Sequence, residues 1–232
     1  MKHTSPHDTA TLLVFCKQPK LGQGKQRLAA TLGKDVAFEI ASALLACALE
    51  DAAKWPGPVV LSPADSTEEE WARNLLCHAE VVAQPQGNLG HRIMSVDQQL
   101  RDQGHQTIMI IGTDAPMLNE AVFSQALDGL THSDVTLSAA EDGGVTLMGS
   151  RIHWPNIVDI PWSTDRLGES LHYKCVQAGR SIAYTQPSYD IDHEKDLHKL
   201  IVDLEHDLRP ARQALFTLVK SVVYNSTIKV TS

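Results

Sequence analysis

Short unbroken apolar runs alternate with longer segments of helical character along almost the whole chain. Thr11 to Cys16 is the first such run, a buried strand that stops at a segment rich in Lys, Pro and Gly. Asp35 to Ala53 is rich in Ala and Leu and free of Gly and Pro, with apolar residues around most of the wheel, which predicts a long helix packed deeply against a sheet. Pro58 to Ser62 gives a second strand. Thr67 and Glu70 stand in the T-x-x-E spacing of a capping box, and a third strand follows at Ala79 to Ala83. The alternation continues with a helix over His91 to Gln103, a continuous apolar strand over Thr107 to Ile111, a helix over Asn119 to Leu130 and a strand over Asp134 to Ala140. After Gly144 the pattern predicts strands at Val145 to Gly149 and Ser181 to Tyr184. Helices are predicted at Glu169 to Gly179, Glu194 to Glu205 and Arg209 to Val223.

Strands alternating with helices through short loops predict an α/β fold, a mostly parallel sheet with helices on both faces. In such sheets ligands bind beyond the strand C-termini. No linker, repeat or low-complexity stretch divides the chain, so residues 10–232 are expected to form one domain that includes the C-terminal helices, after a loose tail over residues 1–9.

Composition narrows the function classes. A 232-residue chain with 43% hydrophobic and 21% charged residues is that of an ordinary globular protein. It holds no apolar stretch long enough to span a membrane and no secretory signal pattern. The four cysteines form no C-x-x-C pair, which fits buried thiols in a reducing, cytoplasmic setting. A net charge of -8 speaks against a duplex nucleic-acid partner. The eleven histidines include no H-E-x-x-H set, and G-x-S-x-G is absent, which sets aside zinc hydrolases and α/β hydrolases.

Three constellations carry candidate chemistry. From Thr9 to Lys34 there is no Asp or Glu, yet Lys17, Lys20, Lys25, Arg27 and Lys34 fall there. This is either a solvated basic surface or, through Lys17, Pro19, Gly22, Gly24, Lys25 and Arg27 ahead of helical sequence, an anion cradle of backbone N–H groups and forked cations. Neither the Walker nor the G-x-G-x-x-G spacing is met. Asp114, just past the most apolar strand, is either a metal ligand or the cap of the helix after Pro116. A carboxylate facing a polyphosphate is repelled by about 4 kcal/mol per charge pair at 4 Å and an effective dielectric near 20, which a divalent cation relieves. Asp190 and Asp192 share one side of an extended piece; either completes the metal site with Asp114, or Asp192 caps the next helix, while Asp196 reads as an exposed helical residue. Gly87, Gly90 and Arg92 lie in a loop placed to meet a base or ribose, and Asp142, Gly143 and Gly144 in one placed to meet a second substrate; both also read as tight turns.

Together these pieces resemble the glycosyltransferase A-like, nucleotide-diphospho-sugar transferase family described as selenodomain-associated transferases. Phe15 to Leu28 is similar to the family's F-x-K-x-P-x-x-G-x-x-K-T-R-L opening, with Gln26 in place of Thr. Gly112 to Leu118 is similar to G-[ST]-D-x-P-x-L, and Asp142 to Val145 to D-G-G-Y, with Val145 in place of the aromatic residue. Trp162 to Thr164 matches W-S-T, and Asp190 to Leu197 matches D-x-D-x-x-x-D-L. The Trp162 segment also reads as purely structural, a buried indole beside a hydroxyl-bearing turn.

The resemblance implies a GT-A fold, a nucleotide beside the first loop and a divalent cation, Mg²⁺ or Mn²⁺, near Asp114. Three functions follow from it as expectations. The leading one is glycosyl transfer from a nucleotide-diphosphate sugar to a small-molecule or lipid-linked acceptor. In it Asp114 and Asp192 hold the metal, Lys25 and Arg27 stabilise the departing diphosphate, and Asp142 serves as base or acceptor ligand. The second is nucleotidyl transfer from an NTP to a phosphorylated acceptor, with Lys25 and Arg27 on the triphosphate. The third is a non-catalytic nucleotide-binding protein of the same fold, suggested by Gln26 and Val145.

Overall fold

The computed structural model describes residues 9–230, so the tail expected over residues 1–9 lies, up to residue 8, outside the described residues. The strands are β1 (Thr11–Cys16), β2 (Val59–Pro63), β3 (Glu80–Val81), β4 (Ile108–Ile111), β5 (Val135–Ala139), β6 (Val145–Ser150) and β7 (Ile182–Tyr184). The helices are α1 (Gln26–Leu32), α2 (Lys34–Lys54), α3 (Glu69–Arg73), α4 (Leu89–Asp102), α5 (Glu120–His132), α6 (Leu167–Gln177), α7 (Glu194–Leu204) and α8 (Pro210–Val230). The strands form a single sheet in the order β3-β2-β1-β4-β6-β5-β7. Every pairing is parallel except those of β6, which runs antiparallel to both β4 and β5.

The chain divides into two compact units. The first holds the whole sheet with α3 to α6. Alternation along the strands sorts its core: Leu13, Val60, Ile108, Ile110, Val135, Leu137 and Met148 face α4 and α6, meeting Ile93, Val96 and Leu100 of the former and Leu167, Leu171 and Cys175 of the latter. On the other face α5 covers the sheet beside Gly149, where a Cβ would crowd the side chains of Thr136 and Met109 on the neighbouring strands and approach Leu130 of α5. This is the two-faced cover that the strand-helix alternation predicts. Asn88 and Asn119 start α4 and α5 by accepting the N–H groups of His91 at 2.9 Å and Val122 at 3.1 Å.

The capping box expected from Thr67 and Glu70 does not form. Asp65, a stronger acceptor than a hydroxyl, takes the Thr67 N–H at 2.8 Å, and the chain turns through Ser66–Glu68 before the short α3. That turn buries Glu68, whose Oε2 accepts the Gln18 N–H at 3.0 Å and so fixes the exit of β1.

The second unit comprises Pro19–Glu50, Thr113–Met117 and the chain from Asp190 onward. It is built from α1, most of α2, α7 and α8. Helix α2 buries a stripe at Ala37, Ile40, Leu44, Cys47 and Ala48 while Phe38 stays exposed, a narrower apolar face than its composition predicts. Leu197, Leu200 and Leu204 of α7 pack with α8, which buries Leu215, Val219 and Val222. Among the described residues no helix is long and apolar enough to cross a membrane.

Candidate functional site

The second unit has a charged kernel. Between β1 and α1 the chain makes a loop of positive backbone angles: Gly22 at φ 75°, Gly24 at φ 71° and then Lys25 at φ 44°, the left-handed region that a residue with a Cβ enters at a cost. Gln26 closes this loop from within, its amide donating to the carbonyls of Gly22 and Gly24, both at 3.1 Å. The turn sends the Lys25 side chain inward, where it is 6% exposed. Its ammonium meets Asp114 Oδ1 at 2.9 Å, Asp192 Oδ1 at 3.3 Å and the Ile191 carbonyl at 2.6 Å, which uses all three of its protons. Arg27 Nη1 holds the other Asp192 oxygen at 2.8 Å while most of the guanidinium faces solvent.

Two segments remote in sequence are thereby fixed. The Ile191 N–H also donates to the Asp114 carbonyl at 2.9 Å. Pro116, two residues beyond Asp114, is held by the fully buried Arg212 of α8, which donates from Nε at 3.1 Å. The same guanidinium reaches the Cys47 carbonyl at 2.5 Å and Glu50 at 3.1 Å. Arg212 carries no motif, so only its place in a long amphipathic helix, as a lone cation among apolar positions, hinted at a buried role.

Asp114 caps no helix, since Asn119 takes that place, and Asp192 is not the cap of α7, whose first residue follows His193. Asp196 is no idle surface residue. Its Oδ2 accepts the N–H groups of His193 at 2.6 Å and Asp192 at 3.0 Å, so it both starts α7 and orients Asp192. The cluster of Lys25, Arg27, Asp114 and Asp192 sums to no net charge. Asp114 is 48% exposed, with one oxygen on Lys25 and the second without a partner among the described residues.

The other candidates stand in the sheet unit. Lys17 is exposed directly after β1. Arg92 donates to the Gly87 carbonyl at 2.8 Å and so braces its own loop, and Gly87 has φ 129°, beyond easy reach of other residues. Asp142 accepts the Gly144 N–H at 2.9 Å, a side chain closing its own turn. Gly143 at φ 88° has a second constraint, because a Cβ there would collide with the Asp165 carbonyl. Trp162 donates from its indole to the Ile157 carbonyl at 2.8 Å and packs on Gly90, and the Thr164 carbonyl receives the Leu167 N–H; this segment starts α6. Among the described residues no group of three or more His, Cys, Asp or Glu side chains gathers as a metal site would require, so a metal on Asp114 and Asp192 would need ligands from elsewhere.

A family model described as "Uncharacterized protein conserved in bacteria (DUF2064)" matches residues 43–164, more than half of the chain. No curated protein matches the chain in sequence. Among solved structures, a putative nucleotide-diphospho-sugar transferase from Desulfovibrio desulfuricans G20 superposes with a TM-score of 0.84 at 22% identity, over 94% of this chain and 97% of that one. The inositol-1-phosphate CTP transferase from T. maritima gives a TM-score of 0.55 at 10% identity over 93% and 96% of the two chains. The 4-diphosphocytidyl-2C-methyl-D-erythritol synthase from Anaerococcus prevotii DSM 20548 gives 0.52 at 11% identity over 81% and 94%. At these identities the likeness is one of fold, the GT-A-like α/β architecture expected from the motifs.

Proposed function

The chain belongs to that bacterial family, DUF2064, and on this premise we propose that it is a nucleotide-dependent transferase, moving a glycosyl group from a nucleotide-diphosphate sugar. The observation that carries the proposal is the convergence of Lys25, Arg27, Asp114 and Asp192 at a glycine loop that enters a helix. A purely structural ion pair needs neither a half-exposed carboxylate with a spare oxygen nor a guanidinium turned to water. The same features suit a diphosphate. Arg27 keeps its Nε and Nη2 protons for phosphate oxygens, the forked geometry that anions favour. Lys25, with its donors committed, holds Asp114 and Asp192 in register.

Because the cluster is neutral, a diphosphate brings negative charge that Arg27 alone does not offset. Asp114 keeps one oxygen open for Mg²⁺ or Mn²⁺, which takes one or two carboxylates alongside phosphate oxygens, and Asp192 would join it by exchanging its contact with Lys25 or Arg27. When bound, the ion would neutralise the departing diphosphate. Within the helical unit, Pro19, Gly22 and Gly24 would shape the loop's approach to the phosphates, the two glycines through their positive backbone angles. Asp142, occupied with its turn, is the weakest of the proposed catalytic groups.

Isothermal titration with UDP- and GDP-sugars, with and without Mn²⁺, tests the reading; saturable, Mn²⁺-strengthened binding is expected, and binding of no donor would overturn it. Asp114→Asn should remove the Mn²⁺ effect while leaving the fold intact. The inositol-1-phosphate CTP transferase of the same fold motivates a second reading, nucleotidyl transfer. Release of pyrophosphate from CTP or GTP with phosphorylated metabolites, and not with nucleotide sugars, would favour it.

A further inference from the structure

Past the C-terminal ends of β5 and β7, inside the sheet unit, lies a cleft of about 340 Å³. This is the lower range of small-molecule sites. Leu137, Ala139 and Val145 give it an apolar floor, and the Gly143–Gly144 turn forms one wall. The wall is fixed in place: the Gly168 N–H donates to the Gly143 carbonyl at 2.9 Å, and a side chain on Gly143 would strike the Asp165 carbonyl. An irregularity in the β5–β6 pairing at Ser138 and Ala139 turns the strand end beside it.

The chemistry of the lining is one-sided. Asp165 and Glu169 stand on the rim, and among the described residues no Lys or Arg lines the cleft. The start of α6 would ordinarily draw an anion, yet its first amides are committed. Leu167 donates to the Thr164 carbonyl at 3.2 Å, Gly168 to Gly143, and Arg166 to the Thr164 hydroxyl at 3.3 Å. The remaining polar groups suit hydroxyls. His172 Nδ1 and the Tyr184 hydroxyl stand 2.8 Å apart with stacked rings 6.2 Å between centroids, which leaves Nε2 of His172 without a partner among the described residues. The Asp165 and Glu169 carboxylates accept from sugar hydroxyls and repel phosphate, and the free imidazole nitrogen adds a further partner for a hydroxyl.

We propose that this cleft is an acceptor subsite for a neutral sugar or polyol that carries no phosphate. Its role as an acceptor site rests on the transferase reading above; its selectivity does not. The test is binding to the full chain without nucleotide, followed through the amide resonances of Gly143 and Gly144 and the His172 ring, with D-glucose, D-sorbitol and D-glucose 1-phosphate as probes. Saturable millimolar shifts are expected with glucose or sorbitol, and at least tenfold weaker binding of glucose 1-phosphate. Val145→Tyr, which fills the floor, should abolish the glucose or sorbitol shifts at an unchanged unfolding midpoint. Should that variant fold poorly, Glu169→Lys at the exposed rim should raise glucose 1-phosphate binding severalfold. Binding of none of the three probes, preference for the phosphate, or indifference to both substitutions would overturn the proposal. Titration of a nucleotide sugar on the same sample reports separately on the transferase reading.

Discussion

Each unit hides an arginine, and the two are used differently. In the sheet unit Arg101 and Asp97 sit one turn apart on α4, joined at 2.8 and 3.1 Å and both buried. In the helical unit Arg212 ties α8 to Cys47, Glu50 and Pro116, partners drawn from segments far apart in the chain. The first pair sits on a helix whose position an apolar stripe already sets through Ile93, Val96 and Leu100, and Arg101 adds bonds to the Gln106 carbonyl at 2.7 Å and the Ser150 carbonyl at 3.2 Å. The second stands where that unit would otherwise need core, and it holds the loop that bears Asp114. Buried ion pairs add little net stability over apolar replacements, but removing one partner is costly. The difference therefore lies in what each charge positions, the end of an already placed helix against Gln106 and Ser150 in one case and the loop that bears Asp114 in the other.

The strongest way to break this contrast is Arg212→Met. It leaves Glu50 and the Cys47 and Pro116 carbonyls without their buried donor, with an expected loss of about 3–5 kcal/mol by urea denaturation and weaker nucleotide binding through displacement of Asp114. A loss below 1 kcal/mol would make Arg212 incidental. Arg101→Met should cost less, about 1–3 kcal/mol, and its cost should depend on pH. Burial, partly countered by Arg101, raises the Asp97 carboxyl above its ordinary value. The folded state thus binds that proton more tightly than the unfolded one, and stability falls as pH rises from about 4 through the folded pKa. Without Arg101 the window widens upward. A deficit that is flat in pH would show that Asp97 does not feel the loss.

The same contrast explains what could be read in advance. Strands such as Thr11–Cys16 and Ile108–Ile111 announced themselves because each is a short apolar run with both faces covered, a property local to the segment. The Asp97–Arg101 pair was likewise within reach, at the i,i+4 spacing. Lys25 and Asp192 are 167 residues apart, and no local pattern states that an ammonium will sit between Asp114 and Asp192. Motif resemblance named these residues as partners of a ligand, while the structure shows them first as partners of one another. Asp196 was misjudged for a different, local reason, since its two N–H donors lie three and four residues upstream in the turn before its helix, and the Thr67 box failed because Asp65, two residues upstream, is the better acceptor.

Cysteine accessibility offers a smaller and sharper comparison. Burial pushes the Cys16 thiol up to about 12, with Glu68 adding to the shift, and the Cys175 thiol up to about 11. Both stay protonated and unreactive, whereas Cys77 is exposed. A thiol reagent at neutral pH should modify Cys77 alone in the folded protein, and all four cysteines after denaturation. Fast modification of Cys16 would mean that the exit of β1, next to the glycine loop, opens in solution.

The smallest expected effect separates surface electrostatics from both buried arginines. Asp134, at the entry to β5, accepts the Ser181 N–H and hydroxyl, each at 3.0 Å, and meets Arg151 at 3.2 Å. The Ser181 backbone bond is the largest cause holding its carboxyl below the ordinary value, with the Ser181 hydroxyl and Arg151 adding to it. A depressed carboxyl stabilises the folded state above its unfolded pKa, and the stabilisation disappears as pH falls below about 4 through the folded value. Asp134→Asn should therefore lower stability by at most about 1 kcal/mol at pH 7, because the group is only partly buried and its ion pair with Arg151 is screened by solvent. At pH 2.5 the variant and parent urea midpoints should converge. A gap that persists in acid would assign the effect to the geometry of the strand pairing between β5 and β7 instead of to charge, and would place Asp134 with Asp196 among the carboxylates whose work is to hold backbone.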